Sequence, residues 1–247
     1  MIPKVIHYCW FGHNPLPKMA LDCIASWRKF FPGYEIKEWN EDNFDVNMIP
    51  YTAQAYKAGK YAFVSDYARF WILYRYGGLY FDTDVEVIRD MSDIIARGAF
   101  MGCDRKAVEN AHGVPSMFYV APGLGMGAQA GLGVYKVILD YYERSDFECD
   151  SSGNPVITVV GIVTNLLEDH GLKRVNGIQQ VGDVCIYPAD YFNPIDVVTR
   201  KLEITPNTRS IHHYMASWMK PTFKIKAKNW LRKILPSRLL YLWNNRS

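Results

Sequence analysis

Residues 62–87, AFVSDYARFWILYRYGGLYFDTDVEV, hold the side chains best equipped for chemistry. Asp82 and Asp84 stand one residue apart after the apolar run Leu79-Tyr80-Phe81. Residues two apart in a strand share a face, so the spacing predicts both carboxylates on one side. Two like charges held at the end of a buried strand are costly unless a positive group joins them. A divalent cation that prefers hard oxygen ligands is the expected partner, and such an ion commonly carries a phosphate-bearing substrate. The ordinary alternative is two hydrated aspartates at a strand end. The apolar approach and Val85 and Val87 beyond weigh against it, although D-x-D alone is a common string.

Asp66 and Arg69 are three apart and share a helix face. On a surface they would make an ion pair of small value. Placed just before the aspartate strand, Arg69 is expected to reach a phosphate or sugar hydroxyl, and Asp66 sugar hydroxyls. His212 and His213 close a second apolar run, and either could complete a metal site as a neutral imidazole. A core or surface histidine is the plainer reading of both. Trp10, after the first apolar segment, suits a core as well as it suits stacking on a base. The glycine-rich stretch 123–133 follows no clear strand and has neither G-x-G-x-x-G nor a Walker lysine, which excludes a Rossmann fingerprint and a P-loop.

These residues need elements to position them. Segments 5–11 and 34–39 read as strands, and 18–31 as a helix with Ala20, Cys23, Ile24, Trp27 and Phe31 at helical spacing. Segments 51–59 and 65–76 read as further helices, Ser65 capping the second and Gly77-Gly78 ending it. A single strand over 79–87 then carries the aspartates. Helices over 133–142 and 159–170 and short strands over 184–187 and 209–213 follow, whereas 123–133 reads only as a flexible or tightly turning segment. The alternation predicts an α/β fold with a mostly parallel central sheet flanked by helices.

The chain has 247 residues, enough for one large domain or two small ones, and its composition is that of a globular protein. A net charge of +3 argues for no nucleic acid partner, and 17 Tyr with 7 Trp suit a carbohydrate or nucleobase site. Five scattered cysteines without a CxxC support neither a zinc ribbon nor a disulfide framework, and a cytoplasmic location is expected. The N-terminal residues do not read as a signal peptide, and no window has the apolar length to span a bilayer. Residues 220–247 differ from the rest. They hold eight basic residues and no acidic one, with Ala227, Trp230, Leu231 and Ile234 forming an apolar stripe. A catalytic domain over 1–219 and a basic amphipathic tail over 220–247, able to lie on the inner face of a membrane, are the expected division.

Taken in order, IPKVIHYCWFG, SWRKFFPGYE, SDYARFWILYRYGGLYFDTD and HHYMASW resemble the DXD-containing glycosyltransferases. That family includes capsular-polysaccharide transferases and initiating mannosyltransferases and, more distantly, the glucosyltransferase domains of large clostridial toxins. The resemblance spans roughly 2–218. It implies a GT-A fold, a nucleotide-sugar donor, Mn²⁺ or Mg²⁺, and transfer of a hexose with retention to a glycan or lipid-linked glycan of the cell surface, such as capsule or O-antigen. By motif, Trp10 would stack on the base, and Asp66 and Arg69 would hold the donor sugar. Asp84 would ligate the metal directly, with Asp82 acting through water or on the ribose and sugar, and Ser217 and Trp218 would contact the diphosphate. The resemblance raises His212 as a further ligand and leaves His213 open. Many relatives have Gly-Pro where this chain has Gly161-Ile162, a departure on the acceptor side. Two other functions compete: a phosphatase of the haloacid-dehalogenase type, which needs a downstream acidic pair closer than Asp183 and Asp190, and a non-catalytic sugar-binding protein.

Overall fold

The computed structural model describes residues 1–104, 118–150, 156–195 and 201–215, with the backbone of 108–109 and 115–116. In chain order the elements are β1 (Val5–Cys9), α1 (Lys18–Phe30), β2 (Glu35–Trp39), α2 (Pro50–Lys57), α3 (Tyr61–Tyr76), β3 (Gly78–Tyr80), β4 (Val85–Val87), α4 (Ser92–Ala96) and β5 (Phe100–Gly102). Then come β6 (Val108–Glu109), β7 (Pro115–Ser116), β8 (Met126–Ala128), α5 (Gly133–Glu143), α6 (Val159–Glu168), β9 (Gln179–Val181), β10 (Val184–Tyr187), α7 (Ala189–Phe192) and β11 (Ser210–His212). The described residues as far as Tyr214 make one compact unit; of the second, Met215–Ser247, only Met215 is described. The expected tail over 220–247, with Ser217 and Trp218, lies outside the described residues.

Seven strands form the central sheet in the order β2-β1-β3-β8-β5-β10-β9. The pairings β1·β2, β1·β3 and β5·β10 are parallel, and those of β8 with β3 and β5 and of β9 with β10 are antiparallel. Hence β1, β2, β3, β5 and β10 all run one way, and β8 and β9 run against them. The α/β expectation holds, with a sheet that is mixed rather than parallel throughout.

Alternation along each strand builds a core on both faces. Ile6, Tyr8, Leu79, Phe81, Phe100 and Tyr187 face one side, against Trp27 and Ile24 of α1, Val85 and Val87 of β4, and Phe192 of α7. Cys9, Tyr80, Met101, Met126 and Ile186 face the other, under α2, α3, α5 and α6. His7 also belongs to the interior. Its Nε2–H donates to Gly77 O at 3.0 Å, its Nδ1 accepts from Trp39 Nε1 at 3.0 Å, and burial holds it down at about 4. It is a neutral packing residue.

Three expectations are corrected. Ser65 does not cap α3: the helix starts one turn earlier, at Tyr61, because Phe63 and Val64 continue its buried surface, and Ser65 Oγ donates to Tyr61 O instead. The strand over 79–87 is broken. β3 ends at Tyr80, Val85 N–H donates back to Asp82 O at 3.0 Å to close a turn, and β4 leaves to pair with β11 in a separate two-stranded sheet. The glycine-rich stretch is not simply a turn, because it contains β8, inserted between β3 and β5. Gly127 is needed there, since a Cβ would press on Phe100 at 2.5 Å and Leu79 at 2.8 Å. The stop at Gly77-Gly78 is as read, with φ of 65° and 108° that only glycine adopts freely.

Candidate active site

β1, β2 and β3 are parallel, so their carboxyl ends lie on one edge of the sheet, where open α/β sheets present their binding crevice. Trp10 follows β1 and Asp82 follows β3 on that edge. Behind them α3 is buried along most of its length, and it carries Asp66 and Arg69 into the interior, where sequence spacing alone suggested a surface pair.

Arg69 connects the parts. Its Nη2 lies 2.9 Å from Asp66 Oδ1 and 3.4 Å from Asp82 Oδ1, its Nε donates to Ser65 O at 3.0 Å, and its guanidinium sits 5.1 Å from the centre of the Tyr80 ring. The Arg69 and Asp66 side chains are 5% and 8% exposed, whereas Asp82 is 31% exposed. The network therefore opens to solvent at Asp82. Burial pushes the Asp66 carboxyl up to about 7 in spite of Arg69 beside it, and Asp82 adds in the same direction.

Asp82 and Asp84 do converge, by a turn rather than by a shared strand face. The third member comes from β11, whose antiparallel register sets His212 against Val85. Oxygen and nitrogen atoms of Asp82, Asp84 and His212 lie within 4.8 Å of one another. His212 Nε2 stands 3.1 Å from Asp84 Oδ1, and its Nδ1 is buried without a hydrogen-bond partner among the described residues. The neighbouring His213 points away, as alternation in an extended segment requires. Its Nε2 meets Glu86 Oε2 at 2.9 Å, and its backbone N–H donates to Asp84 O at 3.0 Å. Of the two histidines left open by the sequence, the structure brings His212 to the aspartates.

The donor set fits a divalent ion. Two carboxylates and one imidazole nitrogen are ligand types that divalent cations take in proteins. Asp82 and Asp84 together outnumber Arg69, the cation beside them, and a divalent ion would balance that excess. Asp190, one of the acidic residues weighed for a phosphatase, accepts from Asn207 Nδ2 at 3.0 Å.

Three further residues at this site escaped the sequence reading. Tyr80 donates its hydroxyl to Asp82 Oδ1 at 3.1 Å; its position two residues before Asp82 in a strand was the available signal. Gly123 donates no side chain, and a Cβ on it would collide with the Asp82 carboxylate; its O accepts from Asp82 N–H at 3.1 Å. Cys9 lies in the same interior, but burial pushes its thiol up to about 12, which rules it out as a thiolate nucleophile at neutral pH. Trp10 is half-buried at the mouth, its Nε1–H bonded to Asn14 O at 2.6 Å.

The family described as glycosyltransferase sugar-binding region containing DXD motif matches residues 17–101. Inositol phosphoceramide mannosyltransferase 1 of Schizosaccharomyces pombe is 28% identical over 111 residues, 40% of this chain and 33% of that protein. An uncharacterised glycosyltransferase of Acanthamoeba polyphaga mimivirus is 31% identical over 106 residues, 40% of this chain and 42% of that protein. The matches thus span well under half the length of these relatives. Among solved structures, the PaToxG glycosyltransferase aligns with a TM-score of 0.49 at 18% identity over 68% of this chain and 69% of its own. The galactosyltransferase LgtC, in complex with donor and acceptor sugar analogues, aligns at 0.45 and 13% identity over 95% and 98%. Asp82-Thr83-Asp84 is the one D-x-D sequence within 17–101, the region that matches the glycosyltransferase sugar-binding family containing a DXD motif.

Proposed function

We propose that the chain is a metal-dependent, retaining hexosyltransferase that moves a sugar from a nucleotide-sugar donor to a cell-surface glycan precursor. The observation that carries this reading is the meeting of Asp82, Asp84 and His212 beside the buried Asp66–Arg69 pair. Asp84 and His212 would hold Mn²⁺ or Mg²⁺ directly, with Asp82 partly exposed at the rim. When bound, the ion supplies charge neutralisation for the diphosphate leaving group. Arg69, fixed by three oxygens from Asp66, Asp82 and Ser65, presents a rigid cation toward the donor sugar, and rigid preorganisation is what makes such a charge effective against developing negative charge. Asp66 accepts sugar hydroxyls, and Trp10 at the mouth offers a face to the base. With no thiolate at the site among the described residues, attack by the acceptor hydroxyl on the face the diphosphate leaves accounts for retention.

The fission-yeast relative's name, inositol phosphoceramide mannosyltransferase 1, supports an acceptor held in a lipid surface. Such an acceptor agrees with a tail over 220–247 that touches an anionic inner membrane face from the cytoplasm, and the domain division at 219/220 is part of the same proposal.

Nucleotide sugars screened by thermal shift with and without Mn²⁺ test this. The correct donor should raise the melting temperature only with the metal. Asp84→Ala should abolish both that shift and Mn²⁺-dependent donor hydrolysis while keeping the fold, because removing one of two crowded carboxylates relieves repulsion. Donor hydrolysis by Asp84→Ala at the wild-type rate would overturn the metal assignment. Phosphate release from a monoester would favour the phosphatase, and ligand binding without turnover a sugar-binding protein.

A further inference from the structure

We propose that Tyr214 and Asn193 are positioning residues for His212, holding its imidazole in the plane that the cation site requires. The inference rests on the reading of Asp82, Asp84 and His212 as that site. An imidazole ligand is normally aimed by a hydrogen bond from its second nitrogen. His212 lacks that support, since Nε2 faces Asp84 and Nδ1 has no hydrogen-bond partner among the described residues. Packing must therefore set the ring, and Tyr214 does this. Its backbone is left-handed, with φ of 53°, which a bulky residue adopts only where its surroundings enforce it. That conformation folds the Tyr214 ring back, edge-on to His212, with centroids 4.3 Å apart and planes at 61°.

Asn193 holds Tyr214 in turn. Its Nδ2 donates to the Tyr214 hydroxyl and, at 2.6 Å, to Asp104 O. Asn193 is 4% exposed and its Oδ1 is buried without a hydrogen-bond partner among the described residues, so a polar group sits in this interior for its N–H donors. Asp104 follows β5, Asn193 follows α7 and Tyr214 follows β11. Three separate elements thus converge behind one imidazole.

The test is Mn²⁺ binding to the full chain without donor, read from the paramagnetic resonance of free Mn²⁺. Tyr214→Phe keeps the ring and removes only the hydroxyl anchor, so the metal-free protein should still fold, with a melting temperature lowered by a few degrees for the lost hydrogen bond, while Mn²⁺ affinity falls about tenfold. Tyr214→Gly tolerates the left-handed backbone and removes the ring, and should lose on the order of 100-fold. His212→Ala should lose at least as much. Wild-type affinity in Tyr214→Phe overturns the proposal, and that isosteric variant decides alone if Tyr214→Gly fails to fold. Wild-type affinity in His212→Ala instead overturns the cation site itself, so the two failures are distinguishable.

Discussion

Arg69 is a cation set among carboxylates, and its geometry rather than its charge makes it hard to replace. The guanidinium addresses Asp66, Asp82 and Ser65 O at once and lies over Tyr80. A lysine ammonium has the charge but no planar fork. Arg69→Lys should therefore lower kcat/KM about 100-fold, the scale of losing one preorganised donor; an unchanged kcat/KM would reduce the pair to scaffolding. Asp66 supports a second expectation, about stability. Its folded value of about 7 lies above the ordinary 3.8, so the folded state binds the proton more tightly than the unfolded chain does. Stability from this group is present in full below about pH 4 and is lost as pH rises through about 7. Asp66→Asn cannot ionise. In metal-free urea denaturation its stability relative to wild type should rise between pH 4 and 7 and level off above. A flat difference across that range would mean that Asp66 is ionised throughout.

At the scale of elements, Asp84 is aimed by what brackets β4. One edge of β4 pairs with β11, which delivers His212. On its other side Trp27 Nε1–H of α1 donates to Val85 O at 2.7 Å, and Ser26 Oγ accepts from Val87 N–H at 2.9 Å. The strand that begins one residue after Asp84 is thus closed on both sides, although it is three residues long and outside the main sheet. Trp27 is fully buried, so the Val85 carbonyl has no water to turn to. Trp27→Phe should cost about 1–3 kcal/mol of stability, the penalty for a buried group left unpaired. It should also weaken Mn²⁺ binding without touching the site. A thermal melt paired with a Mn²⁺ titration checks both, and a stability loss with unaltered metal affinity would show that β4 is held by β11 alone.

For the whole molecule, the sheet gathers the ends of β1, β2 and β3 at one edge and so brings together residues as distant in sequence as Trp10 and Asp82. No helix among the described residues is long and apolar enough to cross a membrane. The proposed link to a lipid surface therefore depends on 220–247, where each Lys or Arg near an anionic leaflet contributes about 1 kcal/mol. Truncation after Lys220 should leave Mn²⁺-dependent donor hydrolysis in place and abolish co-sedimentation with anionic liposomes at low salt. Failure of the full-length chain to co-sediment, or unfolding of the truncated one, would make the segment structural.

Local signals were enough for the sequence to declare the α/β class, most helices, the stop at Gly77-Gly78 and Asp66, Arg69, Asp82 and Asp84 as side chains to look for together. Helical spacing, glycine's freedom at positive φ and the cost of crowded carboxylates all act over a few residues. Other features depended on distant parts of the chain. Whether Asp82 and Asp84 share a strand or a turn depended on β4 finding β11, about 125 residues away, and the same pairing chose His212 over His213. That 123–133 contains the inserted β8 depended on Phe100 and Leu79 leaving room for nothing larger than Gly127. The burial of Asp66 and Arg69 depended on which helices cover α3. A strand's partner and a helix's cover are set by packing between segments far apart in sequence, and only the tertiary structure decides them.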